Sequence, residues 1–230
     1  MAGPRSHRAR ATSSLVLAAA VLAGCGGSST GLVASRSAQQ ILAASRAAGA
    51  RAATVHVAGT LASARGRLSL DLQLVAGKGG QGRIAQGDLD FTLIRIGRFV
   101  YLKGNSAFYR RLGGPVQRVL AGRWLKAKTS AGLATFASLT NLRELVDMTL
   151  TSHGKLARTG TGTVEGQKVV AIDDLARGGT LYVAAEGAPY PLQLRERGGG
   201  GGTLVFDSWN QPVTLTAPAD AINVNQLLGR

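Results

Sequence analysis

Cysteine is nearly absent: Cys25 is the only one in 230 residues. No intramolecular disulfide can form, so a packed core must hold the fold. Histidine is almost as scarce. Apart from His7, only His56 and His153 occur, and two histidines that far apart with no second cysteine give no metal-ligand spacing. Acidic residues number 12 against 27 lysines and arginines. Among them, Asp88 with Asp90 and the pair Asp173-Asp174 bring too few oxygens at too wide a spacing for a calcium loop. Charged residues on a strand's outer face are the ordinary alternative. No Gly-x-Ser-x-Gly elbow is present to anchor acyl transfer. Long apolar runs are missing as well, and the stretch 15–22 is too short to span a bilayer as a helix. These absences speak against a disulfide scaffold, a metalloenzyme and a serine hydrolase. No enzyme, metal or cofactor is expected.

What the chain has begins at its start. Arg5, Arg8 and Arg10 precede the apolar stretch 15–22, which closes on Leu22-Ala23-Gly24-Cys25. A basic head, a short apolar stretch and a small-residue exit make a secretory signal. The cysteine directly after Leu-Ala-Gly resembles the lipobox of bacterial lipoproteins. That resemblance implies that the Cys25 sulfur receives a diacylglyceryl group and that the chain is cut just before it. Cys25 then becomes the first residue of a protein anchored by lipid to the outer face of the cell membrane. An ordinary signal peptide with a chance cysteine is the other reading. Residues 1–24 are thus expected to be a signal peptide and 25–34 a lipidated cysteine with a Gly/Ser/Thr tether. Residues 35–230 form a single domain, in keeping with the usual length of one.

The formal net charge is +15, and without Arg5, Arg8 and Arg10 it is +12. A cytosolic chain with that balance would suggest nucleic acid. Here the signal places the domain outside the cytoplasm and the basic residues are scattered, so no nucleic-acid partner is expected. Two explanations remain for the excess. One is attraction to anionic headgroups, at about 1 kcal/mol per basic residue near the surface. The other is compositional drift, because the Ala, Gly and Arg excess resembles chains from high-GC actinobacteria.

From residue 35 the pattern is helical, with Ser37 as N-cap, Ile41 and Leu42 among alanines, and Gly49 as the stop. The period then changes to two. Val55 and Val57 alternate with polar neighbours, and Leu68, Leu70, Leu72 and Leu74 alternate with Arg67, Ser69, Asp71 and Gln73. Leu89, Phe91 and Leu93 do the same, and the apolar positions continue as Ile94 and Ile96, a change of parity that predicts a bulge near Leu93. Gly77, Gly79 and Gly82 satisfy G-x-G-x-x-G, but a strand rather than a helix follows, so the stretch reads as a flexible hairpin loop and not a dinucleotide site. Helical spacing returns over 133–150 with Leu139, Leu142, Leu145 and Val146, and Asn141 with Glu144 can cap it. After Gly154 further period-two segments follow, with a turn at Glu165-Gly166-Gln167 and a last strand at 213–216. Ile222 begins a short terminal helix in this reading. Phe99, Tyr101, Phe108, Tyr109 and Trp124 cluster in the middle, where core packing and one end of an apolar pocket both fit.

This order of elements, with Val100-Tyr101-Leu102-Lys103-Gly104, Phe108-Tyr109, Gly113-Gly114-Pro115 and Gly122-Arg123-Trp124-Leu125-Lys126, resembles a family of actinobacterial envelope lipoproteins. They are related to the mycobacterial carriers of lipids and glycolipids and share a fold with the lipoprotein-localisation factors. The resemblance implies an α+β fold in which a strongly curved antiparallel sheet, a half-barrel, wraps around a few helices. It also implies an apolar cavity for acyl chains and no catalytic residue. On this basis Leu70, Leu72, Leu89, Phe91, Leu93, Leu145 and Val146 are the candidate cavity residues. The expected partners are the membrane through Cys25, a lipid or glycolipid ligand, and an envelope transporter or another envelope protein. A non-enzymatic interaction module with a filled core and a protein partner is the alternative.

Overall fold

The computed structural model describes residues 35–63, 66–111, 117, 120–130, 134–197 and 201–224, with Met1 and Gly3. Cys25, the signal stretch and the tether lie outside these residues, as do Gly113-Gly114-Pro115. The first helix, α1 (Ala38–Arg51), starts where expected. Ser37 Oγ accepts from the Gln40 N–H, and Gln40 Oε1 accepts from the Ser37 N–H, a reciprocal cap. Gly49 is not its stop. The helix runs on to Arg51, and Gly49 instead lets a second helix approach, because a Cβ there would lie 2.9 Å from a methyl of Val146.

Five antiparallel strands follow as a meander: β1 (Thr54–Ser63), β2 (Gly66–Val75), β3 (Gly79–Gln86), β4 (Leu89–Ile96) and β5 (Phe99–Gly104). After α2 (Ser106–Arg111), β6 (Leu125–Lys128) pairs with β5. The helical stretch 133–150 is two helices, α3 (Ala134–Leu139) and α4 (Leu142–Thr151), separated at Thr140-Asn141 because Asn141 caps α4. A second meander, β7 (Leu156–Val164), β8 (Gln167–Asp174), β9 (Gly179–Ala184), β10 (Pro191–Glu196) and β11 (Gly202–Asp207), ends against β1. β12 (Ile222–Asn223) lies parallel to β6, where a helix was expected, and residues 213–216 form no strand. One open 12-stranded sheet results, ordered β12-β6-β5-β4-β3-β2-β1-β11-β10-β9-β8-β7.

Two further expectations fail for clear reasons. β4 keeps its register with β3 and β5 through Leu93, so no bulge occurs there. Ile94 and Ile96 instead face outward beside Tyr101 and Phe99, and Lys126 covers that apolar patch, its ammonium 4.4 Å from the Phe99 ring centre. Gly79, Gly80 and Gly82 are not a loop but part of β3, and only residues 76–78 turn. Leu74 of β2 lies opposite Gly80 and its side chain occupies the space that a Cβ there would need, while at Gly82, opposite Leu72, that space is taken by β2 backbone.

The sheet is curled. β2 and β7 stand six places apart, which in a flat sheet is about 29 Å at the usual strand spacing. Yet Leu68 and Leu70 of β2 line the same cavity as Leu156 of β7. Glycines inside strands permit the bend. At Gly59, φ is +142° and a Cβ would sit 2.0 Å from the Thr203 carbonyl oxygen. At Gly82, φ is +155° and the corresponding contact with Asp71 is 1.9 Å. One core gathers Ile41 and Leu42 of α1 and Leu142, Leu145, Val146 and Leu150 of α4 with Val57, Leu72, Leu93, Ile172 and Phe206 of the sheet.

On the outer face, His56 is half-buried. Its Nδ1 lies 3.0 Å from Asp207 on β11 and its Nε2 3.0 Å from Asp71 on β2, so one imidazole bridges three strands. Burial opposes its charge, but the hydrogen bonds and negative charge of the two carboxylates outweigh that, and its pKa rises above the ordinary 6.5. A raised folded pKa stabilises fully below the unfolded value and is lost as pH climbs through the folded value. With Asp71 largely exposed, the bridge is worth about 1 kcal/mol or less. Thermal melts from pH 6 to pH 9 should therefore show wild type losing a few degrees that His56→Ala does not lose, and parallel curves would refute the bridge.

Candidate functional site

Alternation along the strands puts one apolar row on the inner face. Leu70 of β2, Gly59 of β1 and Leu204 of β11 are neighbours across the sheet, and Leu194, Leu181 and Ile172 continue the row through β10, β9 and β8. Gly59 has no side chain, so the floor dips between two leucines. Leu42 of α1, Leu139 of α3 and Leu145 of α4 lie over this floor. The space between them is about 600 Å³ and opens to the outside. Apart from Val57, its lining strand residues lie toward one end of the sheet, the end that carries the β8–β9 and β10–β11 connections.

That end is polar. Ser152, His153, Asp174, Arg177, Glu196 and Arg197 form the rim. The Arg177 guanidinium donates to Ser152 Oγ and so ties the β8–β9 turn to the residue after α4. Asp174 accepts from the backbone N–H groups of Gly154, Ala176 and Arg177 at 2.9, 2.9 and 3.1 Å. Burial alone would raise its pKa, but these donors hold it below the ordinary 3.8. Asp173 is engaged by Arg197 at 2.9 Å and by Thr180 Oγ1 at 2.6 Å. Asp90 pairs with Arg83 and Asp88 with Arg111. All four aspartates singled out from the sequence therefore have structural partners, two of them in building the rim.

Of the residues proposed from the sequence, Leu70 and Leu145 line the cavity. Leu72 and Leu93 are wholly buried in the packed half of the core. Phe91 packs on Phe108, with ring centres 5.6 Å apart, and Val146 packs on Gly49. Leu89 is half-buried at the start of β4, opposite Gln86. None of these five reaches the cavity wall. The wall residues that sequence reasoning did not single out include Leu156, Ile172, Leu181, Leu194 and Leu204 of the second meander. Their signal was available in the period-two pattern after Gly154.

No protein-family model matches the chain, and no curated protein matches it. Solved structures do. LprF from Mycobacterium bovis aligns over 79% of this chain and 97% of its own, with a TM-score of 0.52 at 16% identity. The lipoprotein LppX from Mycobacterium tuberculosis aligns over 77% and 99%, with a TM-score of 0.49 at 20% identity. The first alignment spans most of both chains, so this chain shares the fold of LprF.

Proposed function

We propose that this chain is a membrane-anchored extracytoplasmic lipoprotein that binds lipid or glycolipid in the apolar cavity. The observation that carries the reading is the cavity itself. Its volume is about 600 Å³, within the range of roughly 300–1,000 Å³ of pockets that take small molecules. Its walls are leucine and isoleucine and its polar groups stand at one end, the distribution that an acyl chain with a polar head requires. In this reading the curled sheet wraps around α1 and α4 as a half-barrel that keeps the space from collapsing. Residues 1–24 are the signal peptide, Cys25 carries the lipid anchor, 25–34 form the tether and 35–230 the carrier domain. No residue is assigned catalysis. Bound lipid would pass to an envelope transporter or another envelope protein.

Native mass spectrometry of the protein purified from membranes is the test. The expected result is a mass excess that a denaturing spectrum resolves into a released lipid. A protein that carries no excess mass and takes up no added fatty acid or phospholipid would overturn the proposal in favour of an interaction module.

A further inference from the structure

Among the described residues, the exposed large hydrophobic side chains are Met1, Met148 and Leu175. Isolated exposed apolar residues are normal on a protein surface. These last two, however, stand at one place. Met148, 53% exposed, lines the cavity from α4. Leu175, 58% exposed, is in the β8–β9 turn between Asp174 and Arg177, both of which form the rim. The turn is held stiffly by the three donors to Asp174, by the Arg177–Ser152 contact, and by the Leu175 N–H bonded to the Lys155 carbonyl at 2.9 Å. Lys155, Arg177 and Arg197 are exposed beside the apolar pair.

The direction of the chain adds a second observation. α1 and α4 are antiparallel: Arg46 meets Asp147, Arg143 donates to the Ala50 carbonyl, and Gly49 touches Val146. Leu42, near the start of α1, lines the cavity, whereas Gly49, near its end, lies against Trp209 beyond the far end of β11. The N-terminus of α1 therefore points to the rim, and in the lipoprotein reading the anchor at Cys25 lies only ten residues before Ser35.

We propose that the rim is a membrane-docking surface, with Met148 and Leu175 seated among lipid chains just below the headgroups and the cavity mouth facing the bilayer that holds the N-terminus. Apolar side chains ringed by lysine and arginine suit that depth, since the stems lie in the apolar layer while the charges reach phosphate. The rim also carries Asp173, Asp174 and Glu196, so local charge does not select the surface. The apolar pair does, and the net +12 that remains without Arg5, Arg8 and Arg10 supplies long-range attraction to an anionic leaflet. The purpose of docking, lipid exchange without passage through water, rests on the lipid-binding reading. The docking geometry does not.

The test uses the full lipoprotein reconstituted in vesicles of equal phosphatidylcholine and phosphatidylglycerol that carry a headgroup-proximal nitroxide lipid. With the Cys25 sulfur acylated, an introduced cysteine is the only free thiol, so Ala176→Cys and Glu165→Cys each take one fluorescent probe. Position 165 lies at the other end of β8, whose eight residues span about 26 Å. The expected result is quenching at 176 and none at 165, with the quenching at 176 lost when Met148→Ser and Leu175→Ser are combined. Equal quenching at both positions, or none at 176, overturns the docking and leaves the apolar pair to a protein partner. Lipid retention by the same wild-type sample separates the two ideas. Retained lipid with an unquenched rim sinks the docking alone, and a quenched rim on a protein that holds no lipid sinks the carrier reading alone.

Discussion

Cys25→Ser is expected to release the protein from the membrane. In the lipoprotein reading the sulfur is the only acceptor for the diacylglyceryl group, and a serine hydroxyl offers no thioether. Each buried methylene contributes about 0.8 kcal/mol, so two long chains hold a protein almost irreversibly. What remains in the variant is charge. A basic residue near an anionic surface is worth about 1 kcal/mol, and at 1 M salt screening cuts its reach to about 3 Å. Wild type should partition into the detergent phase at high salt and the variant into the aqueous phase. The mature N-terminal peptide of wild type should begin at Cys25 and carry the added mass of a diacylglycerol. An unmodified Cys25 in that peptide, or equal membrane retention of both proteins at high salt, would return the chain to an ordinary signal peptide and remove the anchor from the proposal.

The strands with clean alternation were legible because their face is decided by nearest-neighbour chemistry. Leu68 to Leu74 could be placed on one face from the sequence alone, and so could the cap at Ser37 and the turn at Glu165-Gly166, where both residues take positive φ. β3 was hidden because Gly79, Gly80 and Gly82 have poor intrinsic preference for a strand. Their place in the sheet comes from the close approach of β2, the Leu74 side chain at Gly80 and backbone at Gly82, which is tertiary information. The β1–β11 pairing joins residues about 150 positions apart, such as His56 and Asp207, and no local pattern announces it. That pairing is what brings Leu204 beside Gly59 and Leu70 and so makes a cavity wall of two meanders.

The candidate site was half legible for the same reason. Alternation identifies the inward face of a strand but not the position along it where packing gives way to open space. Leu70 and Leu72 share a face and differ in what stands beside them. Leu72 lies between Val57 and Gly82 and is wholly buried. Leu70 lies between Gly59, which presents no side chain, and Ile84, and it lines the cavity.

That difference sets up a paired substitution with opposite expected outcomes. Leu72 is 0% exposed and off the cavity wall, so Leu72→Trp must push neighbours from their rotamers, at about 1–3 kcal/mol or more. For a protein of this size the melting temperature falls by about 2–4 °C per kcal/mol. Leu70→Trp has space to enter, because the indole can lie over Gly59 and across the floor toward Leu204. It should cost little stability and occupy the volume a lipid would take. Bound lipid itself stabilises the folded protein, so melting temperatures are compared after delipidation and lipid retention is measured before it. The expected pattern is a destabilised Leu72→Trp and a stable Leu70→Trp that has lost its lipid. Leu70→Trp that holds lipid at the wild-type level would show that the ligand sits elsewhere. Equal destabilisation by both substitutions would mean that the space over Gly59 is closed in solution, the state an interaction module with a filled core requires.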